Sequence, residues 1–179
     1  TEVLLPPSRD LRPSVLRPIL QACRDNLRVE IQYTSLSNPE PESRIIQPHT
    51  VAHNGMRWHA RAWCEKSSDY RDFVLSRIQD EPEFTEQSEH HTEQDDHAWQ
   101  ERLILHVTPD PRLSVAQQDV VARDYDMTDG ALTIECRAAM ANYIVQLLRL
   151  DGSRHRDPEA QQVVLANEDE VKGWLWGAG

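Results

Sequence analysis

Long apolar runs are missing from these 179 residues: none approaches the roughly 20 residues of a membrane-spanning helix. Cysteine is scarce. Cys23, Cys64 and Cys136 stand far apart with no C-x-x-C pair. That excludes a disulfide framework and a cysteine zinc site, and it fits a reducing cytoplasm. The six glycines are too scattered for a phosphate-cradling loop. Lysine is nearly absent: of 19 basic residues only Lys66 and Lys172 are not arginine. Arginine offers a rigid fork for carboxylate or phosphate, although a GC-rich genome produces the same bias. The N-terminal TEVLLPPSRDLRP lacks the basic stretch and apolar core of a signal peptide.

The net charge of −11 is unevenly spread. Residues 1–80 carry a net +1, residues 81–98 a net −7 with no basic side chain, and residues 99–179 a net −5. Nonspecific binding of duplex DNA by the whole surface is therefore not expected, whereas a local basic site in the first 80 residues is allowed. The stretch EPEFTEQSEHHTEQDDHA (81–98) reads as an acidic linker between domains 1–80 and 99–179.

Ser8 to Asn26 predicts a helix, with Leu11, Val15, Leu16, Ile19, Leu20 and Cys23 on one face. Pro13 suits its first turn, and Pro18 predicts a kink or a later start. Four strand-like runs follow: Arg28–Thr34, Arg44–Ala52, Arg57–Cys64 and Tyr70–Ile78. Asn54-Gly55 marks a hairpin. Short strands at this spacing predict a small antiparallel barrel or a strongly curved sheet. After the acidic stretch come a strand (Glu101–Val107), a helix (Leu113–Arg123), an extended piece near Tyr125–Met127, a strand (Ala131–Arg137), a helix (Ala138–Leu150, closed by Gly152) and a strand (Val163–Leu165). Asn167 with Glu170 suggests a capping pair for a last helix ending at Trp174–Trp176. That order is ferredoxin-like βαββαβ, so the fold class is α+β.

Alternation places Arg57, His59, Arg61 and Trp63 on one face of their strand, and Arg71, Phe73, Leu75 and Arg77 on one face of the next. Pairing with these faces together would cluster His59, Arg61, Arg71 and Arg77 beside Trp63 and Phe73, with Arg44 and His49 joining from the neighbouring strand. Guanidiniums beside aromatic rings suit an anionic, stackable ligand such as a nucleotide or oligonucleotide. The alternative is a solvated face ion-paired to Glu65, Asp69 and Asp72. Catalysis has less support. His90, His91 and His97 lie in the polar stretch without rigid support, which favours exposed histidines over a metal site. Ser35 and Ser37 lack a nucleophile elbow, and Cys64 reads as a packed core cysteine. Neither an enzyme nor a cofactor site is expected.

Three stretches together resemble a WYL domain: Arg44-Ile-Ile-Gln-Pro48-His49, Arg57-Trp58-His59-Ala60-Arg61-Ala62, and Tyr70 to Ile78 (YRDFVLSRI), with Ile31 to Ser35 fitting the family's first strand. The name-giving Trp-Tyr-Leu stands here as Trp58-His59-Ala60, a departure typical of a proteobacterial branch that resembles BrxR- and CapW-like repressors of phage-defence operons. The close resemblance covers residues 8–80; the rest is similar in architecture to the WCX extension. It implies an Sm/SH3-like barrel, a ferredoxin-like module and a homodimeric cytoplasmic regulator that senses a nucleic-acid or nucleotide-like ligand. Carried over, the ligand-site candidates are Tyr33, Ser35, Arg44, His49, His59, Arg61, Arg71, Phe73 and Arg77. Such regulators usually begin with a winged helix-turn-helix, and nothing before Arg9 supplies one. Operator binding is thus expected only through a helix-turn-helix outside these residues, and no membrane partner is expected. The alternative reading is a stand-alone accessory protein that binds single-stranded nucleic acid and modulates a partner enzyme.

Overall fold

A computed structural model describes residues 11–86, 91–150 and 157–175. The chain forms two compact units that meet at Asp96 and His97.

In the first unit, helix α1 spans Pro13–Asp25. Pro13 sits at its start, where the missing N–H costs no intrahelical bond. Asn26 ends it in the left-handed conformation (φ 53°), its N–H donating to the Ala22 carbonyl. Val15, Pro18, Ile19 and Ala22 form the buried stripe. The later start does not occur: the helix begins at Pro13 and passes Pro18 as one element. The acceptor deprived by Pro18, the Ser14 carbonyl, belongs to an exposed residue that water can reach. The part of the expected helix before Leu11 lies outside the described residues.

Strands β1 (Val29–Tyr33), β2 (Glu42–His53), β3 (Trp58–Cys64), β4 (Asp69–Val74) and β5 (Glu83–Phe84) form one antiparallel sheet of order β4-β3-β2-β1-β5. The hairpin between β2 and β3 turns at Asn54-Gly55: Gly55 has φ 90°, and Asn54 Oδ1 accepts from the Met56 and Arg57 amides. The strand expected to run to Ile78 stops at Val74. Leu75–Arg77 make a 3-10 turn, and the chain then meets the far edge of the sheet: Thr34 N donates to Arg77 O (3.2 Å) and Gln79 N to Gln32 O (2.8 Å). Three residues reach at most about 11 Å. A flat sheet would separate β4 from β1 by three strand spacings, about 14 Å. The sheet is therefore strongly curved, with small Ala60 and Ala62 fully buried on its inner face. Val29, Ile31, Ile46, Phe73, Leu75 and Ile78 pack there with α1.

In the second unit, α2 (His97–Gln100) precedes β6 (Arg102–Pro109), α3 (Val115–Asp124), β7 (Leu132–Arg137), α4 (Ala138–Leu147), α5 (Pro158–Gln161), β8 (Val163–Leu165) and α6 (Glu168–Val171). The sheet is antiparallel, of order β7-β6-β8, with Leu103, Leu105 and Val107 of β6 buried. Ser114 and Gln117 form a capping box on α3. The strand expected at Tyr125–Met127 does not form: among the described residues only a bridge between Thr128 and Ala131 is present, because the chain turns sharply through Asp126 and Asp129, both at positive φ. Helix α4 ends at Leu147, three residues early, with Arg149 at φ 57°. Gly152 lies outside the described residues. Asn167 stands at the N-cap position of α6 and donates to the Glu170 carboxylate (3.2 Å), but makes no side-chain bond to the helix backbone. The same side chain bonds β6, accepting from His106 N (2.9 Å) and donating to Ile104 O (2.9 Å). No helix among the described residues is long and apolar enough to cross a membrane.

Candidate functional site

The register of β3 and β4 separates the cluster that alternation suggested. Ala62 pairs with Arg71 and Ala60 with Phe73, while Arg61 pairs with Asp72 and Trp63 with Tyr70. Cross-strand partners share a face. Arg71 and Phe73 therefore stand with the small inner residues Ala60, Ala62 and Cys64, and His59, Arg61 and Trp63 stand on the outer face. The expected alignment of Arg61 with Arg71 is wrong by one residue. The apolar core decides it: Phe73 goes where alanines leave room, and a one-residue slip would turn it outward.

At the mouth of the inner face lies an open cleft of about 490 Å³, lined by Tyr33, Ser35, Arg44, Cys64, Lys66, Ser67, Arg71, Asp72, Phe73 and Arg77. Six of the nine candidate residues meet here: Tyr33, Ser35, Arg44, Arg71, Phe73 and Arg77. The Tyr33 and Phe73 rings pack edge to face at 5.1 Å, and the Tyr33 hydroxyl accepts from Val74 N (3.1 Å), which fixes the ring. Four cations surround this apolar floor. Arg44 pairs with Glu42 (2.7 Å), which also binds Lys66. Arg44 Nη1 is buried with no hydrogen-bond acceptor among the described residues. Arg71 lies 3.5 Å from Asp69 with both side chains largely exposed, a pair of little energetic weight. The Arg77 guanidinium makes no ion pair among the described residues. Ser35 joins the loop instead, its hydroxyl accepting from Asn38 N (2.9 Å).

His49, His59 and Arg61 lie outside the cleft. Arg61 donates through Nε and Nη2 to the two carboxylate oxygens of Asp96 (2.6 and 3.0 Å) and through Nη1 to Asp72 (3.3 Å). His49 Nε2 lies 3.1 Å from Asp96, and its Nδ1 2.9 Å from the Thr50 hydroxyl. Burial disfavours the Arg61 charge, but its bonds to Asp96 and Asp72 outweigh that and hold its pKa above the ordinary value. A bulge in β2 between Pro48 and Thr50 lets His49 stand outside the regular ladder.

The acidic stretch is more than a tether. β5 adds to the first sheet, and residues 91–96 cross its outer face. His91 stacks on Trp63 (3.9 Å, 13° between planes) and its N–H donates to the buried Gln47 side chain. Tyr70 donates to the Thr92 carbonyl (2.8 Å). Asp96 is 1% exposed. Among the described residues no group of three histidine, cysteine or acidic side chains is placed to hold a metal. His97 packs on Trp174, while His90 and Trp176 lie outside the described residues. Asp96, Lys66 and Ser67 were missed by sequence reasoning, whereas Asp72, expected there as an ion-pair partner, pairs with Arg61. A buried aspartate at the end of a polar run carries no periodic signal, and Lys66 and Ser67 belong to a turn whose fold-back sequence spacing does not encode.

His59 is buried, and burial pushes its pKa down to about 4 from 6.5, opposed by nearby Asp72 and assisted by Arg57, Arg77 and His53. The unfolded chain takes up this proton near pH 6.5 and the folded chain only near pH 4. Between those values the unfolded state binds more protons, so stability is complete above pH 6.5 and falls as pH drops through that window. The total loss is up to about 3 kcal/mol. Urea unfolding at pH 7.5, 5.5 and 4.5 is expected to show that His59→Leu removes this part of the pH dependence. A difference between wild type and variant that does not change with pH would contradict it.

Comparison with known proteins places names on both units. The WYL domain family matches residues 14–81, and the family described as BrxR transcriptional regulator, C-terminal dimerization domain, matches residues 102–171. The DNA-binding transcriptional repressor CapW of Escherichia coli is 39% identical over 168 residues, 93% of this chain and 56% of that protein. Its namesakes in Stenotrophomonas maltophilia and Pseudomonas aeruginosa are 36% and 35% identical, over 98% and 92% of this chain and 58% and 54% of their own. The chain thus spans little more than half the length of these relatives. Among solved structures, the proteasome accessory factor B/C (PafBC) of Arthrobacter aurescens aligns with 93% of this chain and 27% of its own, at 17% identity and a TM-score of 0.38. The chain belongs to the WYL-domain family, its WYL domain followed by a C-terminal dimerization domain of the BrxR type.

Proposed function

We propose that this chain is the ligand-sensing and dimerising portion of a bacterial WYL-family transcriptional repressor. It acts without catalysis in the cytoplasm, on a phage-defence or stress operon, and its cleft takes a nucleic-acid or nucleotide-like anion. The cleft carries the reading: Arg44, Lys66, Arg71 and Arg77 stand around the Tyr33–Phe73 pair, with a buried Arg44 Nη1 awaiting an acceptor. Guanidiniums bind phosphate oxygens through charge-assisted bonds, and an aromatic floor accepts a sugar or base. The repressor role and the two-copy assembly rest on the relatives' names and on the description of the second family. The strong curvature of the first sheet supports an Sm/SH3-like barrel. The order β7-β6-β8 supports a ferredoxin-like module lacking one edge strand.

The test is titration with a 5′-phosphorylated thymidine tetranucleotide, its RNA counterpart and cyclic nucleotides. At least one is expected to bind below about 1 mM, with Arg77→Ala weakening it about tenfold and lowering the log–log salt slope by about 0.7 per lost phosphate contact. Failure of all three classes to bind, or unchanged binding by folded Arg77→Ala and Arg71→Ala, would show a structural arginine cluster instead.

A further inference from the structure

One carboxylate holds two of the four cations that line the cleft. Glu42 stands opposite Tyr33, on the inner face that also carries Arg44. One of its oxygens accepts from Arg44 Nη2 (2.7 Å) and from Asn38 Nδ2 (3.2 Å), and the other accepts from Lys66. Among the described residues neither Arg44 nor Lys66 makes a second ion pair. The other two cations are differently placed: Arg71 has only its long, exposed contact to Asp69, and Arg77 has no ion pair among the described residues. We propose that the Glu42 carboxylate holds the place of a ligand's terminal phosphate, which displaces it from Arg44 and Lys66. The inference rests on the reading of the cleft as an anion site and adds which kind of phosphate that site takes.

The number of free oxygens gives the reason. Both oxygens of Glu42 are in use, and Arg44 Nη1 is still buried without an acceptor among the described residues. A phosphate inside a nucleic-acid strand also has two free oxygens and a single charge. Its exchange for Glu42 is like for like and satisfies no further donor. A terminal phosphate has three free oxygens and, as a phosphomonoester, a charge of about −1.5 to −2 at pH 7. It can serve both arms of the Arg44 fork and the Lys66 ammonium together. The resident pair yields readily, because the side chains of Glu42 and Lys66 are 30% and 58% exposed and an ion pair open to water has little hold. Glu42, once displaced, turns to solvent and not into the core.

The experiment measures calorimetric affinities of the whole chain for two probes, the thymidine tetranucleotide with a 5′-phosphate and the same strand with a 5′-hydroxyl. Wild type is expected to bind the phosphorylated strand about tenfold more tightly. This comparison needs no substitution, so it does not depend on a variant folding. Glu42→Gln keeps the shape but removes the competing charge, and should tighten binding of the phosphorylated strand about fivefold. Asp69→Asn removes a like charge near Arg71 without opening a closed pair, and should change that affinity less than about twofold. Arg44→Lys keeps the charge but loses the fork, and should reduce the preference for the 5′-phosphate to about twofold. Equal wild-type affinity for the two strands, or equal gains from Glu42→Gln and Asp69→Asn, would overturn the inference while leaving the cleft an anion site. Binding of cyclic nucleotides but of neither strand would do the same. Absence of binding by all of these probes would overturn both readings.

Discussion

Arg61→Ala is expected to destabilise the first unit by about 3 kcal/mol, more than any single change at the rim of the cleft. The carboxylate of Asp96 is almost wholly out of water and receives two bonds from this guanidinium. Removing the cation leaves a buried charge without its bidentate partner, a loss that typically costs about 3–5 kcal/mol; contacts that stay in place, His49 among them, put this site at the lower end. Urea unfolding followed by circular dichroism measures the loss. The double variant Arg61→Ala/Asp96→Ala should recover part of it, because neither charge then remains uncompensated. A single-variant effect below about 1 kcal/mol would mean that water reaches Asp96 and that the clamp is of little consequence.

The second large effect lies in the dimerization unit. Leu105 is fully buried at the middle of the central strand β6, opposite Ile134. Leu105→Ala removes its side chain and leaves a cavity that β7 and β8 on either side cannot fill, at a cost of about 3 kcal/mol. The first unit has a separate core containing none of these residues. Unfolding of the variant is therefore expected to split into two transitions, with the second unit melting first and phosphate-probe binding in the cleft preserved. A single transition shifted as a whole would show that the two cores unfold as one.

Much of the fold is legible in the residues. Val29, Ile31 and Tyr33 alternate inward as the pattern indicates, and Asn54-Gly55 makes its hairpin. Leu103, Leu105 and Val107 line the second core as their spacing requires. The failures have physical causes. Pro18 is absorbed because the carbonyl it deprives faces solvent. The strand at Tyr125–Met127 yields to a tight turn held by a local bridge. The site is half legible. The types and positions of Tyr33, Arg44, Arg71, Phe73 and Arg77 are all present in the sequence. Which face each strand turns to the others is not, because register is settled by the core packing of Phe73 against Ala60, a long-range contact. Asp96 is invisible for a related reason: a lone acid in an acidic run becomes a buried anchor only because Arg61 and His49 await it 35 and 47 positions upstream.

The bulge at Pro48–Thr50 makes residue count, and not only residue identity, part of the site. Upstream of it Ile46 and Pro48 face inward; downstream the inward residue is Val51, opposite Ala60. Deleting the bulged residue would straighten the ladder with Thr50 still opposite Arg61 and Val51 still opposite Ala60, and would remove the residue that meets Asp96. Replacing His49 by another residue keeps the count and loses the side-chain contacts to Asp96 and Thr50. A sequence one residue shorter across 48–50 thus keeps the inward set of β2 but has no bulged side chain to meet Asp96.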